Sequence, residues 1–117
     1  MTQLMEKKII PILMRTRDAG QKEYAQSEDN VFANFERIAK SVDTDRKKVL
    51  MVYLLKHIDG ITSFVNGHHS QREDVRGRIT DAIVYLCLLW GMINDNDKKS
   101  RNELLLEKLK RESYDNM

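Results

Sequence analysis

The stretch VRGRITDAIVYLCLLWGMI, Val75 to Ile93, decides the fold. Within it Ile79, Ile83, Leu86, Trp90 and Ile93 recur at alternating spacings of four and three, the period of a helix with one apolar face rather than of a strand. The pattern predicts a helix from about Gln71 to Ile93 at the centre of a bundle, with this stripe as its packing face. Asp81 falls in the most apolar part of the stretch, beside Ala82, Ile83 and Val84. A carboxylate buried there without a partner would be expensive, so Asp81 requires one. Arg78, three residues earlier, can pair with it or with Asp74 on the same face.

Working upstream, Val65-Asn66-Gly67-His68-His69-Ser70 is a turn in which Asn-Gly supplies the backbone angles that a reversal needs. Before it, Leu50, Leu54, Ile58, Ile61 and Val65 form the seam of another helix, antiparallel to the first because the turn is short. It is predicted to start after Asp43 or Thr44, either of which can accept from the free amides of the first turn. A short helix is predicted from Asn30 or Val31 to Lys40. A further one covers roughly residues 3 to 24, with Leu4, Ile9, Ile12 and Leu13 apolar and a kink or restart at Pro11. Downstream, Asn94-Asp95-Asn96-Asp97 is read as a break. A separate amphipathic helix then follows over about 98 to 113, within the tail 98–117, carrying Leu104, Leu105, Leu106 and Leu109. One proline, five glycines and no strand-like alternation give an all-α, four- to five-helix bundle in a single domain, residues 1–117.

Twenty basic residues against 18 acidic ones leave a charge of only +2, and short runs such as Arg46-Lys47-Lys48 do not make the basic face of a nucleic-acid binder. Lys7, Lys8 and Pro11 interrupt the apolar start too early for a leader or membrane span. A single cysteine, Cys87, excludes a disulfide within the chain and is expected to be a small buried hydrophobe. These features fit a cytoplasmic protein with no membrane partner. His68 and His69 lack the i,i+4 spacing that presents two imidazoles to one metal, and together with His57 are expected at the surface.

The segment EYAQSEDNVFANFERIAK, Glu23 to Lys40, carries two readings. Asp29 or Asn30 caps a helix whose Phe32 and Phe35 are core, with Asn34 exposed or tying down the loop. Alternatively, Gln26 to Asn30 is a loop over a ligand pocket and Asn34 hydrogen-bonds the ligand or the loop. The run from Asp18 to Lys40, with Tyr24, Ala25, Asp29, Asn30, Phe32, Asn34, Phe35 and Ala39, resembles the opening motif of the phage-associated nucleotide-modification-associated domain family. LMVYLLKHIDG (50–60) and VRGRITDAIVYLCLL (75–89) are similar to two of that family's helices, so the resemblance spans roughly residues 18 to 93.

That family is in turn similar to MazG-like all-α nucleoside-triphosphate pyrophosphatases, which hold magnesium against nucleotide phosphates with carboxylates on facing helices. The resemblance implies a MazG-like bundle that binds a nucleotide or phosphorylated small molecule. It also implies a host-cytoplasm setting if the gene is a phage one, and possible action against a host protein of a defence system. The implied binding residues are Tyr24, Asp29, Asn30, Asn34, Asp81 and Tyr85, with Asp81 as metal ligand, and Lys56 and Arg78 join them as the charges present where the family's acidic positions are lost. Two acidic positions of the family pattern are Leu55 and Gly77 here, followed by Lys56 and Arg78, and Val31 replaces its proline. Two-metal phosphoryl chemistry needs several converging carboxylates. The expectation is therefore a non-catalytic or weakly catalytic phosphate binder in which Lys56 and Arg78 face each other near Asp81. The alternative is an Mg2+-dependent pyrophosphatase or an accessory enzyme of nucleotide modification, with Asp59 and Asp74 assisting Asp81. The stripe from Ile79 to Ile93 and the leucines at 104–109 exceed the apolar surface such a chain covers alone, which implies a homodimer or higher symmetric oligomer.

Overall fold

A computed structural model describes residues 1–20, 30–69 and 72–115, and among these the protein is all-helical. The chain starts with α1 (Thr2–Leu4), a π-helical turn (Met5–Ile9) and α2 (Ile10–Gly20). Pro11 accounts for the π turn: its ring displaces the carbonyl of the residue four before it and it has no N–H to donate there, so the preceding turn widens. The chain then forms α3 (Ala33–Ser41), α4 (Arg46–Val65) and α5 (Val75–Asp115). The turn expected at Asn66-Gly67 is present. Gly67 takes φ 98 and closes α4, with its own N–H on Phe64 O and that of His68 on Ser63 O. The same arrangement ends α3, but there the left-handed residue is Asp43, at φ 53. Asp43 is thus used up in stopping α3, and the cap of α4 is Asp45, whose carboxylate accepts from Lys47 N–H at 2.7 Å.

Antiparallel α4 and α5 form the principal pair, with α3 across α4 and α2 against α5. Leu50 and Met92, both 0% exposed, lie at the centre with Phe35, Ala39 and Val49. Phe35 meets Tyr53 and Tyr85 edge-on, and the two tyrosine rings stack at 6.1 Å. Phe32 packs against this core and lies over Gly91, beneath the guanidinium of Arg46.

The predicted seams are displaced. Ile79, Leu86, Trp90 and Ile93 are exposed, Trp90 at 72%, while Ala82 and Met92 are buried and Tyr85, Leu88 and Leu89 pack on the core. On α4, Leu50 and Leu54 are buried as expected, but Ile58 and Val65 are exposed. Successive steps of four overrun a 3.6-residue turn by about 40° each, so by Ile58 the strict spacing has left the contact and His57 occupies it. Cys87, expected inside, is exposed on the outer side of α5.

The predicted break at Asn94–Asp97 is also absent, since α5 is one helix of 41 residues. Arg46 explains this. Its guanidinium, 11% exposed, donates to Asp95 at 2.9 Å, to Asn96 at 2.6 Å and to Glu36 at 2.8 Å, and Lys99 reaches Asp95 from one turn on. Side chains that would otherwise compete for the backbone are engaged by a residue of α4, and the helix runs through them. Beyond that point every side chain from Asp97 to Ser113 is exposed, and α5 projects about 60 Å in all through a molecule 71 Å long.

Candidate functional site

The register that removes Ile58 from the contact turns His57 into it. Its imidazole is 13% exposed, lies 5.5 Å from the ring of Tyr85, and carries Nε2 3.8 Å from Asp81 Oδ2. Asp81 is therefore met across the helix pair by a residue that sequence spacing assigned to the surface. Glu73, just before α5, completes a group in which one ligand atom of each of His57, Glu73 and Asp81 lies within 4.8 Å of the others. Asp74 stands outside this group, because its carboxylate accepts from Arg76 N–H at 2.8 Å and caps the start of α5.

Arg78 lies one turn before Asp81, half-buried, across the backbone of Gly60. A β-carbon at residue 60 would fall 2.5 Å from Arg78 Nη1, so the missing side chain makes the room the guanidinium occupies. Arg78 Nε is buried with no hydrogen-bond partner, and so is His57 Nδ1. Among the described residues Arg78 closes no ion pair. Burial pushes the Asp81 carboxyl above the usual carboxylate range. His57 opposes that shift, Glu73 adds to it, and Arg78 opposes it.

Arg78, Asp81 and Tyr85 fall along one side of α5, where Asp81 Oδ2 lies 3.8 Å from His57 Nε2 and the Tyr85 ring 5.5 Å from the His57 ring. Lys56 is exposed, and its i,i+4 relation to Gly60 puts it on the same side of α4. Asn30 and Asn34 are elsewhere. Asn30 accepts from Phe32 N–H and donates to Glu36, each at 3.0 Å, and Asn34 accepts from Arg37 at 2.6 Å. They belong to the Arg46 end of α4, eleven residues and about 16 Å from His57. Tyr24 and Asp29 lie outside the described residues. Of the two readings of Glu23 to Lys40, the packing of Phe32 and Phe35 follows the first, but Asn30 is not the helix cap: α3 has Phe32 at its N-cap with no side-chain bond there, and Asn30 accepts from Phe32 N–H in the turn before it.

No family model, curated protein or solved structure matches this chain. Its chemistry therefore rests on its own residues. A concavity along α3, between Ala33, Glu36, Arg37, Lys40, Thr44 and Arg46, has its guanidinium groups already engaged by Asn34, Glu36, Asp95 and Asn96. The α4–α5 group differs in leaving polar atoms without partners. His57 and Glu73 were missed because a contact between two helices is invisible to spacing within either. The available signal was register, since continuing the buried series Leu50, Leu54 by three rather than four lands on His57. No helix among the described residues is long and apolar enough to cross a membrane.

Proposed function

We propose that the α4–α5 pair binds the phosphate of a nucleotide or another phosphorylated small molecule, and does so without turnover at enzyme rates. The observation that carries this reading is Arg78, a half-buried guanidinium held over Gly60 with Nε lacking an acceptor. A planar fork of donors in that state matches two oxygens of one phosphate group, and Lys56 is within a turn of Gly60 to add a flexible positive charge. Catalysis is weak in this reading because the group offers two carboxylates, Glu73 and Asp81, where two-metal phosphoryl transfer draws on several. We also assign the exposed stripe Leu86, Trp90 and Ile93 to pairing between copies in a symmetric oligomer.

Calorimetry with inorganic phosphate and with nucleoside mono-, di- and triphosphates tests the binding. Saturable binding is expected that Arg78→Ala weakens at least tenfold while the melting temperature changes little. If no phosphate compound binds, or if Arg78→Ala chiefly lowers the melting temperature, Arg78 is structural. Magnesium-dependent cleavage of a nucleotide at about one turnover per second or faster, lost in Asp81→Asn, would replace this reading with the pyrophosphatase one.

A further inference from the structure

We propose that His57, Glu73 and Asp81 hold a divalent transition-metal ion of the zinc, manganese or cobalt class. Zinc bonds to imidazole nitrogen and carboxylate oxygen are about 2.0–2.2 Å long, which sets donors about 3.4 Å apart around a tetrahedral ion. His57 Nε2 and Asp81 Oδ2 are 3.8 Å apart, and the ligand atoms of all three residues fall within 4.8 Å, so side-chain rotations alone close the site. The nitrogen decides the class of ion. Magnesium takes oxygen ligands and retains water, whereas imidazole with carboxylates suits zinc and its neighbours.

Two independent features of His57 point the same way. Its ring is largely buried and fixed against Tyr85, so its direction is set before any ion arrives. It also has no hydrogen bond among the described residues: Nδ1 is buried and unpartnered, and Nε2 is beyond bonding distance of Asp81. Nε2, the nitrogen toward Asp81, carries no hydrogen bond within the protein and is free to take an ion, while the burial of Nδ1 holds the ring in that orientation. An ion at Nε2 would bridge the 3.8 Å gap to Asp81 Oδ2 and balance the two carboxylates facing each other across the group. Three protein ligands leave a coordination position open to an exchangeable oxygen, the pattern of sites that bind a substrate or anion rather than merely brace a fold.

This inference stands apart from the phosphate reading, because it is tested with metal alone. Metal-free full-length protein is titrated calorimetrically with ZnCl2, MnCl2 and CoCl2, and the cobalt-loaded protein is examined by visible absorption. One ion per chain is expected, with a d–d spectrum of nitrogen–oxygen coordination and a raised melting temperature. His57→Phe, which keeps an aromatic ring against Tyr85, and Asp81→Asn, which removes a desolvated charge, are each expected to weaken binding at least tenfold while remaining folded by circular dichroism. A double His68→Ala, His69→Ala variant is expected to bind as the wild type does. The proposal is overturned if none of the three ions binds stoichiometrically, if both site variants bind normally, or if binding disappears with His68 and His69. Arg78→Ala separates the two ideas, since it should leave ion binding intact even where it abolishes phosphate binding.

Discussion

Substituting Gly60 by alanine displaces Arg78 without removing any of its atoms. The new methyl carbon would lie 2.5 Å from Arg78 Nη1, 2.6 Å from Cδ and 2.7 Å from Cζ, all far inside contact distance. The three nearest atoms all belong to the Arg78 side chain, so the expected response is that this side chain swings out while α4 and α5 keep their spacing. In the interior of a helix, alanine is favoured over glycine by about 1 kcal/mol, equivalent to about 4 °C in melting temperature for a chain of this size. Loss of packing by the Arg78 stem offsets part of that gain. The expected melting temperature of Gly60→Ala is therefore between that of the wild type and about 4 °C higher. Gly77→Ala is the control, because a β-carbon there meets nothing within 4 Å and Arg78 stays in place. Thermal unfolding followed by circular dichroism, alongside phosphate calorimetry, reads both effects. Gly60→Ala should weaken phosphate binding at least tenfold, and Gly77→Ala should not. Unchanged affinity in Gly60→Ala would refute the placement of phosphate at Arg78. A fall of more than about 5 °C would show that Arg78 is a clamp between helices, since it exceeds what the propensity term can hide.

Two aspartates should give stability opposite pH dependences. The Lys47 backbone N–H holds Asp45 below its ordinary 3.8, so its capping contribution is complete above that value and is lost as pH falls through the lower folded one. Asp45→Ala should therefore cost about 1 kcal/mol in urea unfolding at neutral pH, and the gap to wild type should close in strong acid. Asp81 is raised by burial, so its favourable contribution is present below 3.8 and is lost as pH rises through its folded value. Metal-free Asp81→Asn should consequently be more stable than wild type at neutral pH, and an equal or lower melting temperature would contradict that sign. Asp43→Gly, at φ 53, should gain stability by up to about 1 kcal/mol, because glycine adopts the left-handed conformation without crowding a β-carbon; a loss would mean the Asp43 side chain contributes a bond of its own. Light scattering at micromolar concentration should give a mass above one chain, and Trp90→Glu on the exposed stripe should reduce it to one. A wild-type mass of a single chain removes the oligomer.

The helical character of the chain and the reversal at Asn66-Gly67 were legible in the sequence, because each depends on neighbours within about one helical turn, whereas the group that meets Asp81 is His57 on another helix rather than the nearby Arg78. Local spacing fixes which residues share a helix face, and an isolated carboxylate in an apolar run announces its own electrostatic need. Spacing does not say which face turns inward. The stripe Ile79, Leu86, Trp90, Ile93 is as apolar as the face that packs, yet α4 and α3 meet the side bearing Ala82, Tyr85 and Met92, where small and aromatic residues interlock with Phe35 and Tyr53. Nor could the sequence show that α5 passes through Asn94–Asp97, since the donor that engages Asp95 and Asn96, Arg46, is about fifty residues away along the chain. The same holds for the site. Arg78 and Asp81 stood out on one helix and Tyr85 through the family resemblance, but His57, Gly60 and Glu73 join them only because two antiparallel helices come together in one particular register, and that register is set by the packing of the whole core.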